Sequence, residues 1–161
     1  MFKIFHKNLF KILFILFIFS IDRLSKIYIL NLLETDQLYN IYINSFINLN
    51  LIWNTGIGFG LFSSDSTLIY NSITVLIILI NIIIIIMIFG STTYYSFLLP
   101  MILGGSMGNL FDRIYYNAVP DFIDLHYSDL HWFIFNIADI FITIGVVCLI
   151  LVELFLNKIK N

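Results

Sequence analysis

The fold is decided by the stretch TLIYNSITVLIILINIIIIIMIF, residues 67–89, which carries no charged side chain from end to end. About 20 apolar residues in a helix are enough to cross the hydrocarbon core of a bilayer. Three further segments, at about 9–33, 94–111 and 135–156, are apolar over a comparable length. The sequence therefore predicts an all-α membrane protein with four transmembrane helices, forming one membrane-embedded domain over residues 1–161.

The composition agrees with this class and excludes others. Hydrophobic residues make up 60% of the chain and charged residues 11%, whereas soluble domains are nearer half apolar and a quarter charged. The net charge is −2, so no basic face is available to neutralise phosphates and a nucleic-acid partner is excluded. The single cysteine, Cys148, lies in an apolar run and can form neither an internal disulfide nor a CxxC unit.

Basic residues indicate how the spans are oriented. Three lysines lie before or at the start of the first span, at positions 3, 7 and 11, and two follow the last one. The connections 34–66 and 112–134 hold only one basic residue, Arg113, against three and four acidic residues respectively. Under the positive-inside rule both termini are expected in the cytoplasm and both long connections outside. The first span resembles a signal peptide, but no small-residue cleavage site follows it, so we expect it to remain uncleaved.

The first outer connection contains a strand signal. Alternate residues from Ile47 to Trp53 are apolar, and a period of two is typical of a β-strand. Because open strand edges cannot lie in lipid, we predict a small extracytoplasmic β element on the membrane surface, at about residues 41–62. Three aromatic side chains are expected to reach into the interface: Trp53, Phe59 and Phe62.

Two pairs of residues within the spans have helical spacing. Asp22 and Lys26, deep in the first span, are four residues apart and can pair on one helix face. We interpret them as a structural ion pair that lets both charges lie near the interface. Gly104 and Gly108 share a face of the third span, and small residues of this kind let helices pack closely in membranes.

Two further polar segments are candidates for a binding site. The Asn54 amide can hydrogen-bond a peptide backbone as donor and as acceptor, and Gly56 allows close backbone approach; the alternative is an ordinary turn. Asn109 and Arg113 share a face at the end of the third span. There the alternative is a helix end with a snorkelling arginine, with Asp112 simply paired to it.

Two aspartates are the strongest candidates for chemistry. Asp139 lies near the start of the last apolar segment, where a carboxylate is costly without a partner or a role. Asp121 lies in the segment VPDF. With no set of metal ligands or nucleophile beside them, the two residues are candidates for a water-activating acid pair. The alternatives are a helix N-terminal charge for Asp139 and a solvated loop position for Asp121, with Asp124 nearby.

Metal and serine chemistry are not indicated by the spacing of the relevant residues. One short stretch contains Asp121, Asp124, His126, Asp129 and His131. It holds no helical metalloprotease spacing such as HExxH, and two histidines five residues apart do not share a helix face. No GxSxG motif is present. We therefore expect neither a metal nor a cofactor.

Five short motifs follow one another along the chain. They are Asp22 with Lys26, NTGIGFG at 54–60, GGSMGNLFDR at 104–113, VPDF at 119–122 and FNIAD at 135–139. In this order, in a four-span chain of this length, they resemble the lipoprotein signal peptidases, the signal peptidase II family. The resemblance covers residues 22 to about 145.

The resemblance implies a membrane-embedded aspartic endopeptidase. Such an enzyme removes the signal peptide of a prolipoprotein after a lipid has been attached to the cysteine that becomes the new N-terminus. The implied location is the bacterial cytoplasmic (inner) membrane, with the active site near the outer leaflet. The implied partners are lipid-modified prolipoproteins and membrane lipid, and we expect a monomer.

The same resemblance assigns residues by their positions in the motifs. Asp121 and Asp139 match the catalytic aspartates. Asp22 and Lys26 match a polar pair in the first span. The matching site-lining polar residues and motif glycines are Asn54, Asn109, Arg113, Asn136, Gly56, Gly104 and Gly108.

One departure from the family pattern and one competing class stand beside this interpretation. Pro120 precedes Asp121 where an aliphatic residue is more usual, and proline restricts the local backbone. The competing class is a non-enzymatic transporter or channel subunit that uses intramembrane Asp and Lys residues. Such a protein needs polar groups throughout the bilayer depth. Here most lie toward the outer ends of the spans, and Asn71 and Asn81, the exceptions, are interpreted as helix–helix hydrogen bonders.

Overall fold

A computed structural model describes residues 2–36, 40–56, 66–91, 94–128 and 130–160. Four helices and four strands account for most of them. The helices are α1 (Phe2–Asp36), α2 (Thr67–Gly90), α3 (Tyr95–Tyr116) and α4 (Ile137–Lys160). The strands are β1 (Asn40–Asn44), β2 (Ile47–Asn54), β3 (Val119–Tyr127) and β4 (Leu130–Phe135). The predicted positions of Phe59, Phe62 and Asp129, and of the β element beyond Gly56, lie outside the described residues.

Each predicted apolar segment lies in one of the four helices. Within the described residues, two stretches are long and apolar enough to cross a membrane by length and composition: α2 and residues Ile137–Phe155 of α4. Helices α1 and α3 contain several charged or polar residues that the fold buries, among them Asp22, Lys26 and Asp112. The four predicted helices are therefore present, and two of them have the composition of a span.

The strands form one antiparallel sheet in the order β1-β2-β3-β4. Strand β2 confirms the period-two signal in the first connection. The predicted β element was too small, because the second long connection adds β3 and β4 to the sheet. The protein is therefore mostly helical rather than all-α. Residues 119–122 of β3 are all buried, so the first half of this strand lacks the alternation of apolar and polar residues by which a half-exposed strand is recognised.

Helix α3 packs against α1 on one side and against α4 on another. A Cβ atom placed on Gly104 would lie 2.9 Å from Cβ of Ile18 in α1. One placed on Gly105 would lie 2.6 Å from the carbonyl oxygen of Ala138 in α4. The helices can approach this closely only because these positions carry no side chain. This packing brings the polar residues of α1, α3 and α4 to one end of the helices.

The opposite end of the helices is tied together by two polar contacts. Lys11 Nζ donates a hydrogen bond of 2.6 Å to the carbonyl oxygen of Ile88, at the end of α2. Tyr95 donates one of 2.6 Å to Glu153 in α4. The first contact adds a charged donor to a helix C-terminal carbonyl that also accepts hydrogen bonds from Ser91. Each contact joins the N-terminal part of one helix to the C-terminal part of another, so α1 runs antiparallel to α2, and α3 runs antiparallel to α4.

The interpretation of the two asparagines in α2 is not confirmed. Asn71 is exposed. Asn81 is buried, yet neither atom of its amide group has a hydrogen-bond partner among the described residues. Within the part of the chain that the structure describes, these residues do not form the predicted helix–helix hydrogen bonds.

Candidate active site

Asp121 and Asp139 face the same cavity. The cavity has a volume of about 230 Å³ and is lined by both carboxylates, by Asn109 and Arg113, and by aliphatic side chains of α2 and α4. The two aspartates are 2% and 7% exposed respectively, so Asp121 is not a solvated loop residue. Their sequence separation is bridged by β3 and β4, which return the chain from Asp121 to the start of α4.

Asn136 joins the two aspartates. Its side-chain Nδ2 donates to Asp121 Oδ1 at 2.6 Å, and its backbone N–H donates to Asp139 Oδ2 at 3.1 Å. The backbone N–H of Asp139 donates in return to Asn136 Oδ1 at 3.1 Å. This reciprocal pair is a capping box at the first turn of α4. Asp139 is therefore both the N-terminal charge of a helix and a residue of the cavity, so the two interpretations of it are compatible.

Each carboxylate receives a second amide hydrogen bond. Asn54 Nδ2 donates to Asp121 Oδ2 at 2.8 Å, and Asn109 Nδ2 donates to Asp139 Oδ1 at 2.8 Å. Asn54 lies at the end of β2, opposite Val119 of β3. The sheet therefore contributes Asn54 and Asp121 to the cavity, while α3 contributes Asn109 and α4 contributes Asp139.

Arg113 is buried against the cavity and holds the chain after β2. It is 3% exposed, and its Nη2 donates to the carbonyl oxygen of Gly56. The backbone N–H of Gly56 donates to Asn54 Oδ1 at 2.8 Å. Among the described residues, Nε and Nη1 of Arg113 have no hydrogen-bond partner. The alternative of a snorkelling arginine is wrong, and the spare donors are available to a carbonyl group in the cavity.

A buried ionic network between α1, α3 and the start of α4 holds residues of the site in place. Lys26 Nζ donates to Asp22 Oδ2 at 2.8 Å, to Asp112 Oδ2 at 2.7 Å and to Asn109 Oδ1 at 2.9 Å. The other oxygen of Asp22 accepts a 3.0 Å hydrogen bond from the backbone N–H of Ala138 in α4. The predicted pair of Asp22 and Lys26 is thus part of a larger cluster that fixes Asn109 and the start of α4.

Asp112 does not pair with Arg113, as one alternative had it, but with Arg23 and Lys26 of α1. Successive residues on a helix point about 100° apart, so Asp112 faces α1 while Arg113 faces the cavity. No local pattern indicates this pairing, because the partners of Asp112 are contributed by another helix. Sequence reasoning missed the roles of Asp112 and Arg23 near the site, and it missed Ser106 and Thr143, which line the cavity.

Asp121 retains a proton unusually well. The pKa of its carboxyl group is raised from 3.8 to about 7, chiefly by burial and then by the nearby Asp139 carboxylate. Hydrogen bonds from Asn54 and Asn136, and the positive charge of Lys26, oppose this change only in part. Two carboxylates so close cannot both ionise cheaply. The pair therefore keeps one proton up to about neutral pH.

A buried carboxylate pair that shares one proton is the arrangement with which aspartic peptidases activate water. The fold and the site thus define an apolar, mostly helical protein in which two buried carboxylates face one cavity. The model of the signal peptidase (SPase) II family, Peptidase_A8, matches residues 14–155. The chain belongs to this family. It is therefore a membrane peptidase of the aspartic class, and the transporter alternative is not favoured.

Individual relatives agree with the family match. The chain is 56% identical to the lipoprotein signal peptidase of Pelagibacter ubique (strain HTCC1062), over 99% of this chain and 94% of that one. It is 38% identical to that of Anaplasma phagocytophilum (strain HZ), over 92% and 94%. A solved structure described as a bacterial membrane enzyme, at 2.3 Å, matches with a TM-score of 0.71 and 26% identity, over 94% of this chain and 91% of the other.

Proposed function

We propose that Asp121 and Asp139 are the catalytic pair of an endopeptidase that removes signal peptides from lipid-modified prolipoproteins. The observation that carries this proposal is the junction at Asn136, whose side chain and backbone bind one carboxylate each above a common cavity. The substrate class is supported by the relatives, which are lipoprotein signal peptidases. The cut is proposed to fall directly before the lipid-bearing cysteine.

The mechanism follows from the shared proton. The ionised carboxylate takes a proton from a water molecule, and the protonated one donates to the scissile carbonyl oxygen as the water attacks. A tetrahedral diol forms without an acyl-enzyme intermediate. As the C–N bond breaks, the newly protonated carboxyl group gives its proton to the leaving amine and the other carboxylate takes one from a diol hydroxyl, which restores the singly protonated pair. General acid–base assistance of this kind contributes about 10²–10⁴-fold in rate. The two groups titrate as a unit, so the roles of base and acid belong to the pair.

The surroundings of the pair are suited to a peptide with an attached lipid. The spare donors of Arg113 can hold a substrate carbonyl, while Asn54 and Asn109 keep the carboxylates in place. The cavity wall on the side of α2 consists of Ile77 and Ile80. An acyl chain lying against such aliphatic surface loses no hydrogen bonds, so a lipid can remain in the membrane while the peptide bond enters the cavity.

We propose that all four helices cross the cytoplasmic membrane as one domain, with both termini inside and the site near the outer leaflet. The lysines flanking the first and last spans support this orientation. Large aromatic side chains of the sheet are exposed, including Tyr42, Trp53 and Trp132. Aromatic residues of this kind are enriched at membrane interfaces, so the sheet is proposed to lie on the outer membrane surface.

A direct test compares a lipidated with an unlipidated precursor peptide. We expect the purified protein to cut only the lipidated peptide, leaving the modified cysteine as the new N-terminus, because the lipid anchors the substrate against the spans. Mass determination of the products identifies the bond that is cut. Equal cleavage of both peptides, or a cut at another bond, would refute the proposed substrate class.

The shared proton also predicts a pH dependence. Since the pKa of Asp121 lies near 7, the singly protonated pair is depleted as pH rises above that value. We therefore expect kcat/KM to fall by about tenfold per pH unit well above neutrality, as expected for loss of one essential proton. Initial rates on the lipidated peptide between pH 6 and 9, with the protein confirmed intact at each pH, would measure this. A flat profile would contradict a catalytic role for the proton.

A further inference from the structure

A second cluster of ionisable side chains lies on the sheet, outside the cavity of the aspartate pair. Asp124 and His126 are two residues apart on β3, and His126 pairs with His131 across the β3–β4 hairpin. One ligand atom from each of these three residues lies within 4.8 Å of the others. His131 Nδ1 contacts both oxygens of Asp124, at 2.8 and 3.0 Å. The set contains one carboxylate and two imidazoles.

Two buried polar atoms near this cluster have no partner among the described residues. One is Nδ1 of His126. The other is Oδ1 of Asn48, a residue of β2 that pairs directly with Asp124 of β3. Side chains of directly paired strand residues lie side by side on one face of a sheet, about 5 Å apart at Cβ. A buried polar atom without a partner is costly, so both atoms indicate that something further belongs at this place.

We propose that Asp124, His126 and His131 bind a divalent transition-metal ion of the zinc type. Two imidazoles and one carboxylate are ligands that zinc accepts, whereas calcium and magnesium prefer oxygen ligands alone. At Zn–N and Zn–O distances of about 2 Å, small side-chain rotations bring the three atoms onto one ion. The Asn48 carbonyl oxygen or a water molecule completes a tetrahedral set.

An ion can enter the site from solvent, and all of the proposed protein ligands come from this chain. The side chain of Asp124 is 1% exposed, which keeps the carboxylate close to its partner, while that of His131 is 55% exposed and offers the ion a path from solvent. The rings of His126 and His131 already stack with their centroids 5.3 Å apart. A bound ion would replace the proton between Asp124 and His131 and would fasten β4 to β3.

The metal is not proposed for catalysis. None of its three ligands lines the cavity that contains Asp121 and Asp139. The sequence argued against a metal because two histidines five residues apart do not share a helix face. The two histidines instead lie on paired strands, where residues opposite each other are in contact whatever their helical spacing.

Zinc binding to the purified protein tests this inference independently of peptidase activity. The protein is prepared with a tag that contains no histidine, treated with a chelator, and dialysed against zinc or magnesium before its metal content is measured. We expect an equimolar amount of zinc and no magnesium. We expect zinc also to raise the thermal unfolding midpoint, because an ion that binds only the folded hairpin stabilises it.

The variants His126→Phe and His131→Phe keep an aromatic ring but remove a ligand. Zinc affinity should fall in each by more than the roughly 10–100-fold that loss of an outer-shell hydrogen bond costs. The control is His6→Phe, which removes the one other histidine of the chain and should bind zinc as the unchanged protein does. The proposal would be overturned if the unchanged protein bound no zinc, or if a folded ligand variant bound zinc as tightly as the unchanged protein does.

Discussion

The variants Asp139→Asn and Asp121→Asn are expected to lose peptidase activity by at least about 10²–10⁴-fold, the range attributed to general acid–base assistance. An amide cannot share the proton that the carboxylate pair needs. Because the two residues act as one unit, the double variant should be no slower than either single variant. The measurement is the initial rate of cleavage of a lipidated precursor peptide, with the amount of protein in the membrane determined in parallel.

Structural disturbance has to be separated from lost chemistry in these variants. Both oxygens of Asp121 accept hydrogen bonds from amide groups, those of Asn54 and Asn136, so an amide at position 121 would place one donor against another. Elution of the variant from a sizing column, in detergent, must therefore match that of the unchanged protein. Normal turnover by a well-folded variant at either position would refute the acid-pair mechanism.

Asp124→Asn is the matched control, because it neutralises another buried carboxylate of the same strand. Asp124 binds His131 and does not line the cavity. Its replacement should leave cleavage of the lipidated peptide largely unchanged. An inactive Asp124→Asn protein, with normal folding, would mean that the wrong aspartate of the β3 strand had been assigned to the pair.

The positions of the helices and of β2 could be predicted because their signals are local. An apolar stretch such as 67–89 specifies a helix by its length, and the alternation from Ile47 to Trp53 specifies a strand by its period. Most of the proposed site residues were candidates by their own spacing and chemistry, and the order of five motifs assigned their roles and added Asn136. That order carries information about residues such as Asn136 that no periodicity contains, since its role is to join two carboxylates distant in sequence.

The features that could not be predicted depend on partners from elsewhere in the chain. The sequence suggested that Asp112 pairs with the adjacent Arg113. Its side chain instead points from α3 toward α1, where it pairs with Arg23 and Lys26. The first half of strand β3 carries no alternation, because residues 119–122 are all buried. The cluster on the sheet was hidden for a similar reason, since His126 and His131 meet only when the β3–β4 hairpin forms.

The second large effect is expected from Gly108→Ala. A Cβ atom at this position would lie 2.3 Å from Asp22 Oδ2. That carboxylate cannot move aside freely, because it is held by Lys26 and by the backbone N–H of Ala138. Disrupting a buried ion pair costs about 3–5 kcal/mol, which outweighs the roughly 1 kcal/mol that alanine gains over glycine in a helix. We therefore expect a clearly lower unfolding temperature.

The same variant should also lose activity, because the clash is transmitted to the cavity. Lys26 holds Asn109, and Asn109 holds Asp139, so displacement of the ionic network moves one member of the proposed catalytic pair. The control is Gly90→Ala at the end of α2, where an added Cβ meets nothing within 4 Å and stability should be unchanged or slightly raised. Thermal unfolding in detergent and cleavage rates measure the two effects together. If Gly108→Ala behaved like Gly90→Ala, the ionic network would have enough freedom to accept a methyl group, and its proposed role in fixing Asp139 would be wrong.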